Sequence, residues 1–372
     1  MKTLLILPVV LLSIFGLLHI LQVLIGSARV FWDLNDDDQF LPNWGKSGHA
    51  GEGLVDYPTD ATRDVRPINC HSHNDYVRRV PLFDAIHWGC TGVEADVWSF
   101  GDEELYVGHS TASLTKKRTF RNLYVDPIVK LLDNMNLETG FANVTVNTTQ
   151  RGIFEEDPSQ TLVLLVDFKT SGSDTFPLVH KQLEALREKD YLSYFDGTQL
   201  HSRPVTVVGT GNTPFDLIVA EKQRRDIFFD APLERMWEAP SELEGSSAFQ
   251  QEAILFSNQK SNQGSVGTQD TAIDDFNSTN SYYASVSFAH SIGFVWRGRL
   301  SAKQMSKIRG QIQGAQRRGL KTRYWDTPSW PINLRNHVWD VLMKEGADML
   351  NVDDLKGAAA ENWKIRTHRF WS

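Results

Sequence analysis

Short apolar runs alternate with amphipathic stretches from about residue 65 onwards, and this rhythm limits the fold more than any other feature. The amphipathic stretches are long enough for helices, and they occupy 80–89, 125–136, 175–189, 301–318 and 331–346. Strands that alternate with helices predict βαβ units and a parallel sheet. The apolar runs that suit buried strands lie at 66–71, 92–97, 162–167, 204–209, 226–230, 284–288, 320–325 and 348–351. Eight such runs favour an α/β fold of the TIM type, a closed (β/α)8 barrel, over an open doubly wound sheet.

Composition agrees with a large folded domain and excludes one class of partner. The chain has 372 residues, of which 41% are hydrophobic, so it can build a full core. Length alone would suggest two domains, but α/β barrels often exceed 200 residues as one. The net charge of −8 argues against a nucleic-acid partner, which requires a basic face.

The N-terminus carries an apolar segment that suits a membrane. Residues 4–25 hold only three polar side chains, Ser13, His19 and Gln22. As a helix the run would reach ~33 Å, enough for a hydrocarbon core of ~30 Å. We predict a transmembrane signal anchor within 1–28, with a cleaved signal peptide as the alternative because Gly26-Ser-Ala28 could serve as a cleavage site.

Either reading places the rest of the chain on the secretory route. The prediction is a single-pass membrane protein whose barrel is lumenal or extracellular, or alternatively a secreted protein. Glycosylation acceptor sequences agree with this placement, and they begin at Asn143, Asn147 and Asn277.

Composition also divides the rest of the chain. Residues 29–64 read as a polar stem, because they contain an acidic run and four glycines and show no apolar periodicity. The barrel is predicted over 65–360, and 361–372 form a C-terminal tail. A segment rich in Ser, Gln, Asn and Gly at about 237–281 breaks the rhythm and is predicted to be a surface insertion.

Two cysteines, Cys70 and Cys90, are too few for a disulfide framework. They lie across one predicted strand-to-strand unit. We interpret them as buried small apolar residues, which is the usual role of free cysteine.

Three carboxylates lie in or directly after predicted strands. Glu94 and Asp96 are two residues apart on one strand, so their side chains point to the same side. Like charges at close range raise each other's pKa or require a cation, and Asp167 at the next strand end supplies a third carboxylate. Oxygen ligands of this kind suit Mg²⁺ or Ca²⁺ and not a soft metal. The sequence therefore predicts a metal site formed by Glu94, Asp96 and Asp167.

Histidines and a lysine near the same strand ends complete a possible phosphodiester site. One histidine would activate the attacking oxygen and another would protonate the leaving oxygen. We predict His73 and His109 for these tasks, with His71 as second choice for the first position, and Lys169 as a contact to the phosphate. Each residue alone has an ordinary structural explanation. Their convergence at strand ends, where such barrels place their chemistry, favours a site.

Two further residues at later strand ends are candidates for substrate binding. Asp230 closes the run from Ile227, and Trp325 lies near the end of the run from Thr322. Each could equally belong to the barrel core. Asn351 and Asp353 end the last strand in the same way.

Four sequence runs carry a resemblance to a known family: 71–76, 81–85, 89–97 and 105–109. They resemble the fungal altered inheritance of mitochondria protein 6 family, which belongs among the phospholipase-C-like phosphodiesterases of TIM-barrel fold. The Glu-x-Asp pair, the histidine thirteen residues after the aspartate, and the later Asp-x-Lys are similar, more distantly, to glycerophosphodiester phosphodiesterases and spider-venom sphingomyelinase D enzymes. The close resemblance covers roughly 65–355.

The resemblance implies the same ligands and the same acid–base histidines. It also implies that a neighbouring substrate hydroxyl can attack phosphorus and give a cyclic product. The first-strand motif is His-Ser-His-Asn and not the His-Arg-Gly of glycerophosphodiesterases, so His71 remains an alternative to His73. The interval of 21 residues from His73 to Glu94 is closer to the sphingomyelinase D spacing than the 23 residues from His71.

The predicted function is a metal-dependent phosphoric diester hydrolase or lyase that acts on a lipid-like or glycerol-based phosphodiester. A catalytically inactive phosphate- or lipid-binding barrel is the alternative. A glycoside hydrolase that uses Glu94 and Asp96 is a third reading. It is disfavoured because a same-facing pair on one strand is better placed to share one ion than to flank a sugar bond. The predicted partners are the phosphodiester substrate and the membrane, through the N-terminal segment, and the sequence gives no basis for inferring a protein partner.

Overall fold

The computed structural model describes residues 10–22, 24, 62–137, 150–238, 264–268 and 271–360. The chain divides into two compact units, Met1–Glu52 and Gly53–Ser372.

In the first unit, residues 10–22 and 24 are helical and exposed. Across the described ranges, no helix has both the length and the apolarity that crossing a membrane requires. The predicted anchor within 1–28 is therefore not supported by these residues, and the rest of that segment lies outside them. Most of the predicted stem and the whole predicted tail also lie outside the described residues.

The second unit is a closed barrel of eight parallel strands, as the apolar runs predict. The strands are β1 (Ile68–Ser72), β2 (Cys90–Trp98), β4 (Leu162–Phe168), β7 (Val205–Gly211), β8 (Ile227–Pro232), β9 (Ser281–Ser287), β10 (Lys321–Trp325) and β11 (Met349–Val352). Their order around the barrel is β1-β11-β10-β9-β8-β7-β4-β2, and β1 also pairs with β2, which closes the ring. All eight predicted runs overlap these strands, and the TIM-type fold is confirmed.

Helices connect most consecutive barrel strands and cover the outside of the sheet. One helix start is visible in the sequence: Ser301 Oγ accepts a hydrogen bond from the backbone N–H of Gln304, and this capping box opens the longest barrel helix in the described residues. The helices are α1 (Phe83–His87), α2 (Asp126–Met135), α3 (Gly172–Gln182), α4 (Glu184–Glu188), α5 (Phe215–Ala220), α6 (Phe288–Ser291), α7 (Ala302–Arg317), α8 (Ile332–Lys344) and α9 (Leu355–Ala359).

Alternation along each strand decides which side chains enter the barrel. On β4, Leu164, Val166 and Phe168 join the large core between sheet and helices, whereas Val163 and Leu165 belong to a separate small cluster that fills the barrel interior. Asp167 continues the inner row, because residues two apart on a strand share a face. The same alternation on β2 turns Val93, Ala95 and Val97 outward to the helices and Glu94 and Asp96 into the barrel.

Three short strands depart from the predicted pattern. β3 (Tyr106–Val107) pairs antiparallel with the end of β2, and β5 (Tyr194–Phe195) and β6 (Leu200–His201) form a small hairpin before β7. Between β8 and β9 the described residues contain short 3₁₀ turns and no α-helix. Most of the predicted insertion at about 237–281 lies outside the described residues.

The interpretation of the two cysteines as free thiols is wrong. Cys70 and Cys90 form a disulfide, with Cα atoms 4.7 Å apart. The disulfide links β1 to β2, which pair in parallel beside it. Parallel pairing of neighbouring strands brings these two residues together, and spacing along the chain does not reveal it.

Candidate active site

Three acidic side chains converge at the carboxyl ends of β2 and β4. One carboxylate oxygen from each of Glu94, Asp96 and Asp167 lies within 4.8 Å of the others. Asp96 and Asp167 are register partners on the two adjacent strands. We call these three residues the ligand cluster. The predicted metal ligands therefore share one location, in the arrangement the strand alternation requires.

Two glycines make room for the side chains around this cluster. Gly211 has a φ of +64°, and a Cβ atom there would lie 2.0 Å from Asp167 Oδ1. A Cβ atom on Gly92 would lie 2.2 Å from His71 Nδ1. Larger residues at either position would displace the polar groups, because contacts this short are forbidden by sterics.

Lys169 contacts two of the three carboxylates. Its Nζ lies 2.6 Å from Asp167 Oδ2 and 3.0 Å from Asp96 Oδ2. Glu94 Oε2 instead accepts a hydrogen bond from the backbone N–H of Asn74 at 3.0 Å. The ligand cluster thus has three carboxylates and one contacting ammonium group.

The excess negative charge changes how these groups titrate. Burial, followed by the charges of Asp167 and Glu94, raises the pKa of Asp96 to about 7. Burial also raises the pKa of Asp167. For Lys169, burial works against the charged form, but Asp167 and Asp96 outweigh it and raise its pKa. Asp96 Oδ1 is buried and has no hydrogen-bond partner among the described residues.

His73 lies just after β1 and is held by an acidic partner. Its Nδ1 is 2.9 Å from Asp353 Oδ1, and 24% of its side chain is exposed. Burial lowers the pKa of His73, but the hydrogen bond to Asp353 and the charge of Glu94 outweigh it and leave the pKa raised. The Arg78 guanidinium fixes the surrounding backbone by donating to the carbonyls of His73 and Val352, each at 3.1 Å.

His109 reaches the ligand cluster through Tyr76. The Tyr76 hydroxyl oxygen lies 3.1 Å from His109 Nδ1, 2.7 Å from Asp96 Oδ2 and 2.6 Å from Asn74 Oδ1. His109 itself is 67% exposed, with Nδ1 3.7 Å from Asp96 Oδ2. Burial and the neighbouring Asp96 raise the pKa of Tyr76, so the hydroxyl keeps its proton.

His71 lies on β1 inside the barrel and is fully buried. Its Nδ1 is 3.4 Å from the Tyr283 hydroxyl, and its Nε2 has no hydrogen-bond partner among the described residues. Burial, followed by the charge of Arg323, lowers its pKa well below the usual value. His73 is partly exposed and paired with Asp353, whereas His71 is fully buried, so the geometry favours His73 for proton transfer.

The two remaining candidates lie in different surroundings. Asp230 is fully buried on β8, and its Oδ2 accepts a hydrogen bond from the buried Arg323 at 3.3 Å. Burial raises the pKa of Asp230, against the opposing charge of Arg323. Asp230 is thus paired with Arg323 inside the barrel, and its contact to substrate stays a prediction. Trp325 is half-buried at the end of β10, and its contact to substrate stays a prediction.

Sequence reasoning missed the roles of Tyr76 and Asp353. Tyr76 ends the 71–76 run that carries the family resemblance, but its spacing gives no sign that it bridges His109 and Asp96. Asp353 was visible as an acidic residue after the last strand. Its pairing with His73 follows from the contact between β1 and β11, which are the first and last strands of the closed ring.

Comparisons with known proteins identify the family. Residues 59–230 match the AIM6-like phosphodiesterase domain. Altered inheritance of mitochondria protein 6 homolog from Arthroderma benhamiae is 36% identical over 312 residues, which are 81% of this chain and 86% of that protein. Altered inheritance of mitochondria protein 6 from Saccharomyces cerevisiae is 31% identical over 308 residues, which are 79% of this chain and 70% of that protein.

A solved structure, L. pealei PLC21, aligns over 88% of this chain and 42% of the PLC21 chain, at 12% sequence identity. Its TM-score of 0.33 is too low to place residues or chemistry. The family match and the sequence relatives are sufficient. The chain belongs to the altered inheritance of mitochondria protein 6 family and carries its phosphodiesterase-like domain on a (β/α)8 barrel.

Proposed function

We propose that this chain is a metal-dependent phosphodiesterase that cleaves its substrate by acid–base catalysis with two histidines. The observation that carries this proposal is the ligand cluster, in which three carboxylates meet within 4.8 Å and only two of them, Asp96 and Asp167, contact Lys169. Such an excess of buried negative charge is costly unless a cation offsets it. It is well suited to binding a cation and the phosphate that the cation attracts.

The residues fit a hard divalent ion. Glu94, Asp96 and Asp167 offer oxygen ligands. Asp96 Oδ1 is buried and has no hydrogen-bond partner among the described residues, so its lone pairs are available to a metal ion. Oxygen-only sites of this kind bind Mg²⁺ or Ca²⁺. When bound, the ion would neutralise charge on the phosphate oxygens and orient the phosphodiester.

Tyr76 and Asp353 suggest how the two histidines divide the proton transfers. The single hydroxyl proton of Tyr76 can satisfy Asp96 or Asn74, which leaves the tyrosine oxygen able to accept from His109 Nδ1–H. That tautomer keeps His109 Nε2 unprotonated, as a general base requires. Asp353 has the opposite effect on His73, because it raises the pKa and favours the protonated form. We therefore assign His109 as base and His73 as acid.

The proposed step is a displacement at phosphorus. An attacking hydroxyl gives its proton to His109 Nε2 as its oxygen bonds to phosphorus, and the bond to the leaving oxygen breaks. The leaving oxygen takes a proton from His73. Attack by water yields a phosphomonoester and an alcohol, whereas attack by a neighbouring substrate hydroxyl yields a cyclic phosphodiester and the same alcohol. Proton exchange with water then removes the proton from His109 and returns one to His73, which restores both histidines.

Lys169 supplies positive charge beside the reacting phosphate. Its ammonium bridges Asp96 and Asp167, and 25% of the side chain is exposed, so one side is open to a substrate oxygen. We assign it to stabilising negative charge on the phosphoryl group.

The substrate class we propose is a lipid-like or glycerol-based phosphodiester. The apolar run at 4–25 motivates this, since an enzyme anchored by such a segment would work close to a bilayer. Placement in a membrane with the barrel lumenal or extracellular, or secretion, is part of the same proposal.

Product release from a substrate panel tests the function. Purified protein is assayed with lysophospholipids, glycerophosphodiesters and bis-p-nitrophenyl phosphate, in Mg²⁺ or Ca²⁺ and in chelator. We expect release that requires the metal and disappears in Glu94→Gln. Glu155→Gln is the matched control, because Glu155 is a half-buried carboxylate outside the ligand cluster that faces Arg63 at 3.9 Å. Binding of these compounds without release would instead favour the inactive binding barrel.

A further inference from the structure

Exposed apolar side chains are concentrated at one end of the barrel. Among the described residues from 62 onwards, eight large hydrophobic side chains are exposed. Two of them, Leu137 and Leu200, lie in segments that lead into β4 and β7, at the opposite end from the site. The other six follow the carboxyl ends of barrel strands, and we call them the apolar rim: Val77, Phe100, Phe294, Trp296, Trp330 and Ile332.

The apolar rim lies beside the ligand cluster. Its members follow β9, β10, β1 and β2. Together with β11, which lies between β10 and β1, these strands form one continuous arc of the barrel. β2 carries Glu94 and Asp96, and His73 follows β1. Carboxyl ends of parallel strands meet at one face, so the exposed side chains and the site share that face.

The loop after β9 presents its aromatic residues in a fixed way. Phe294 is 79% and Trp296 68% exposed, whereas Val295 between them is buried. The Gln304 side chain donates to the carbonyls of Ile292 and Phe294, each at 3.1 Å. The two rings contact each other edge-on, with centroids 6.3 Å apart. The aromatic pair is therefore held outward by the loop's own anchoring, although exposure of both rings to water is unfavourable.

The same loop is basic. Arg297 and Arg299 are exposed, and within the described ranges neither has an ion-pair partner. The loop after β2 differs, because Phe100 is followed there by Asp102, Glu103 and Glu104. Negative lipid headgroups would be attracted to the loop after β9 and repelled by the one after β2.

We propose that this end of the barrel docks on an anionic lipid surface through residues 294–299 and 330–332, which we call the docking loops. Tryptophan and phenylalanine with flanking arginines match the boundary between headgroups and acyl chains, where the rings enter the apolar layer and the guanidinium groups meet phosphate. A site next to such a surface receives its substrate from the lipid layer. This last consequence rests on the proposed phosphodiesterase function, whereas docking does not.

Vesicle flotation tests the docking. The unit 53–372 is used because the 4–25 run could bind vesicles by itself, and every buried residue of the described chain lies within that unit, which therefore contains a complete core. We expect binding to phosphatidylcholine vesicles with about one quarter phosphatidylserine, and little to phosphatidylcholine alone. Phe294→Ser with Trp296→Ser should lower the partition coefficient on the order of tenfold or more.

Two matched variants make the test specific. Leu137→Ser with Leu200→Ser removes exposed apolar side chains from the opposite end and should leave binding unchanged. Arg297→Glu with Arg299→Glu should weaken binding to anionic vesicles by about fivefold or more per residue. Cleavage of soluble bis-p-nitrophenyl phosphate should be unaffected by the docking-loop changes, so loss of docking is distinguishable from loss of the site.

Photolabelling extends the test to the full chain. In vesicles that contain a photoactivatable phosphatidylserine, we expect labels on 294–299 and 330–332, and not around Leu137 or Leu200. The proposal is overturned if the 53–372 unit does not float, if the two apolar double variants lose binding equally, or if the full chain is labelled elsewhere. It is also overturned if Phe294→Ser with Trp296→Ser dissociates an oligomer and leaves vesicle binding intact, since the face would then be a protein interface.

Discussion

Two polar clusters occupy the same barrel interior, and they differ in charge balance. In the first, which we call the arginine cluster, Arg323 donates to Asp230, Asn351 and Ser285 at 3.3, 2.9 and 3.0 Å. One cation there faces one anion and two neutral acceptors. The ligand cluster has three carboxylates and the ammonium of Lys169.

This difference in charge balance distinguishes buried charges that are paired within the fold from buried charges that a ligand would have to neutralise. A buried ion pair whose cation also donates to neutral acceptors is tolerated in a folded core, although it adds little net stability. An unbalanced cluster is costly without a cation: burial, followed by the charges of Asp167 and Glu94, raises the pKa of Asp96 to about 7. A ligand of opposite charge removes that cost. We therefore interpret the arginine cluster as part of the scaffold and the ligand cluster as the reactive site.

Removing a carboxylate from the ligand cluster has the largest expected effect, and it falls on activity. Glu94→Gln or Asp167→Asn should lower kcat/KM by about 10³-fold or more, because ion and phosphate lose a charged ligand. Urea denaturation of the metal-free protein should show equal or greater stability, since a like charge has gone. A large loss of stability in these variants would mean that the ligand cluster is also scaffold.

The arginine cluster should respond in the opposite way. Arg323→Met leaves Asp230 buried without its cation, and we expect the free energy of unfolding to fall by about 3 kcal/mol or more. Urea denaturation measures this. Arg323→Met combined with Asp230→Leu removes both charges and should recover much of the loss. If the double variant is no more stable than the single one, the pair is not the source of the effect.

A smaller effect is expected at Tyr76, which touches the ligand cluster without belonging to it. Tyr76→Phe removes the hydroxyl between His109 and Asp96 but keeps the ring. With His109 less well oriented, kcat should fall about tenfold with KM nearly unchanged. Steady-state kinetics on a soluble phosphodiester measure both constants. An equal loss in Tyr106→Phe, whose exposed hydroxyl contacts Asp102, would count against this role.

The smallest effect concerns the pH dependence through Asp353. With His73 as the proposed acid, activity should fall as pH rises through its pKa. Asp353 raises that pKa, and Asp353→Asn lowers it, so the alkaline limb of the kcat/KM profile should move to lower pH. The expected shift is below about one pH unit because Asp353 is 69% exposed and solvent screens its charge. A movement of the acidic limb instead would reverse the roles assigned to the two histidines.

The fold could be read from the sequence because the strands are continuous apolar runs. Strands buried on both faces are mostly apolar, so runs such as Leu162–Val166 stand out from their amphipathic neighbours even though Glu94, Asp96 and Arg323 interrupt others. β3 and the β5–β6 hairpin were missed because two residues are too few to show a period. The disulfide was missed because it depends on which strands become neighbours.

The site was partly readable for the same reason. Residues i and i+2 on one strand face together, so Glu94 and Asp96 could be paired from spacing, and Asp167 could be added from its strand end. Asp230 could not be separated from them, since its burial depends on Arg323 across the barrel. A lone arginine in the predicted 320–325 strand was the available signal, because a buried guanidinium requires an acidic partner. The roles proposed for Tyr76 and Asp353 could not be predicted from spacing, because they depend on which strands become neighbours in the closed ring.

Isothermal titration of the metal-free protein with Ca²⁺ and Mg²⁺ tests the central claim most directly, because it requires no substrate. We predict one bound ion per chain, loss of binding in Asp96→Asn, and unchanged binding in Asp353→Asn, which removes a nearby carboxylate outside the ligand cluster. Absence of binding by the unaltered protein, or the same binding in Asp96→Asn, would contradict the assignment of Glu94, Asp96 and Asp167 as a metal site.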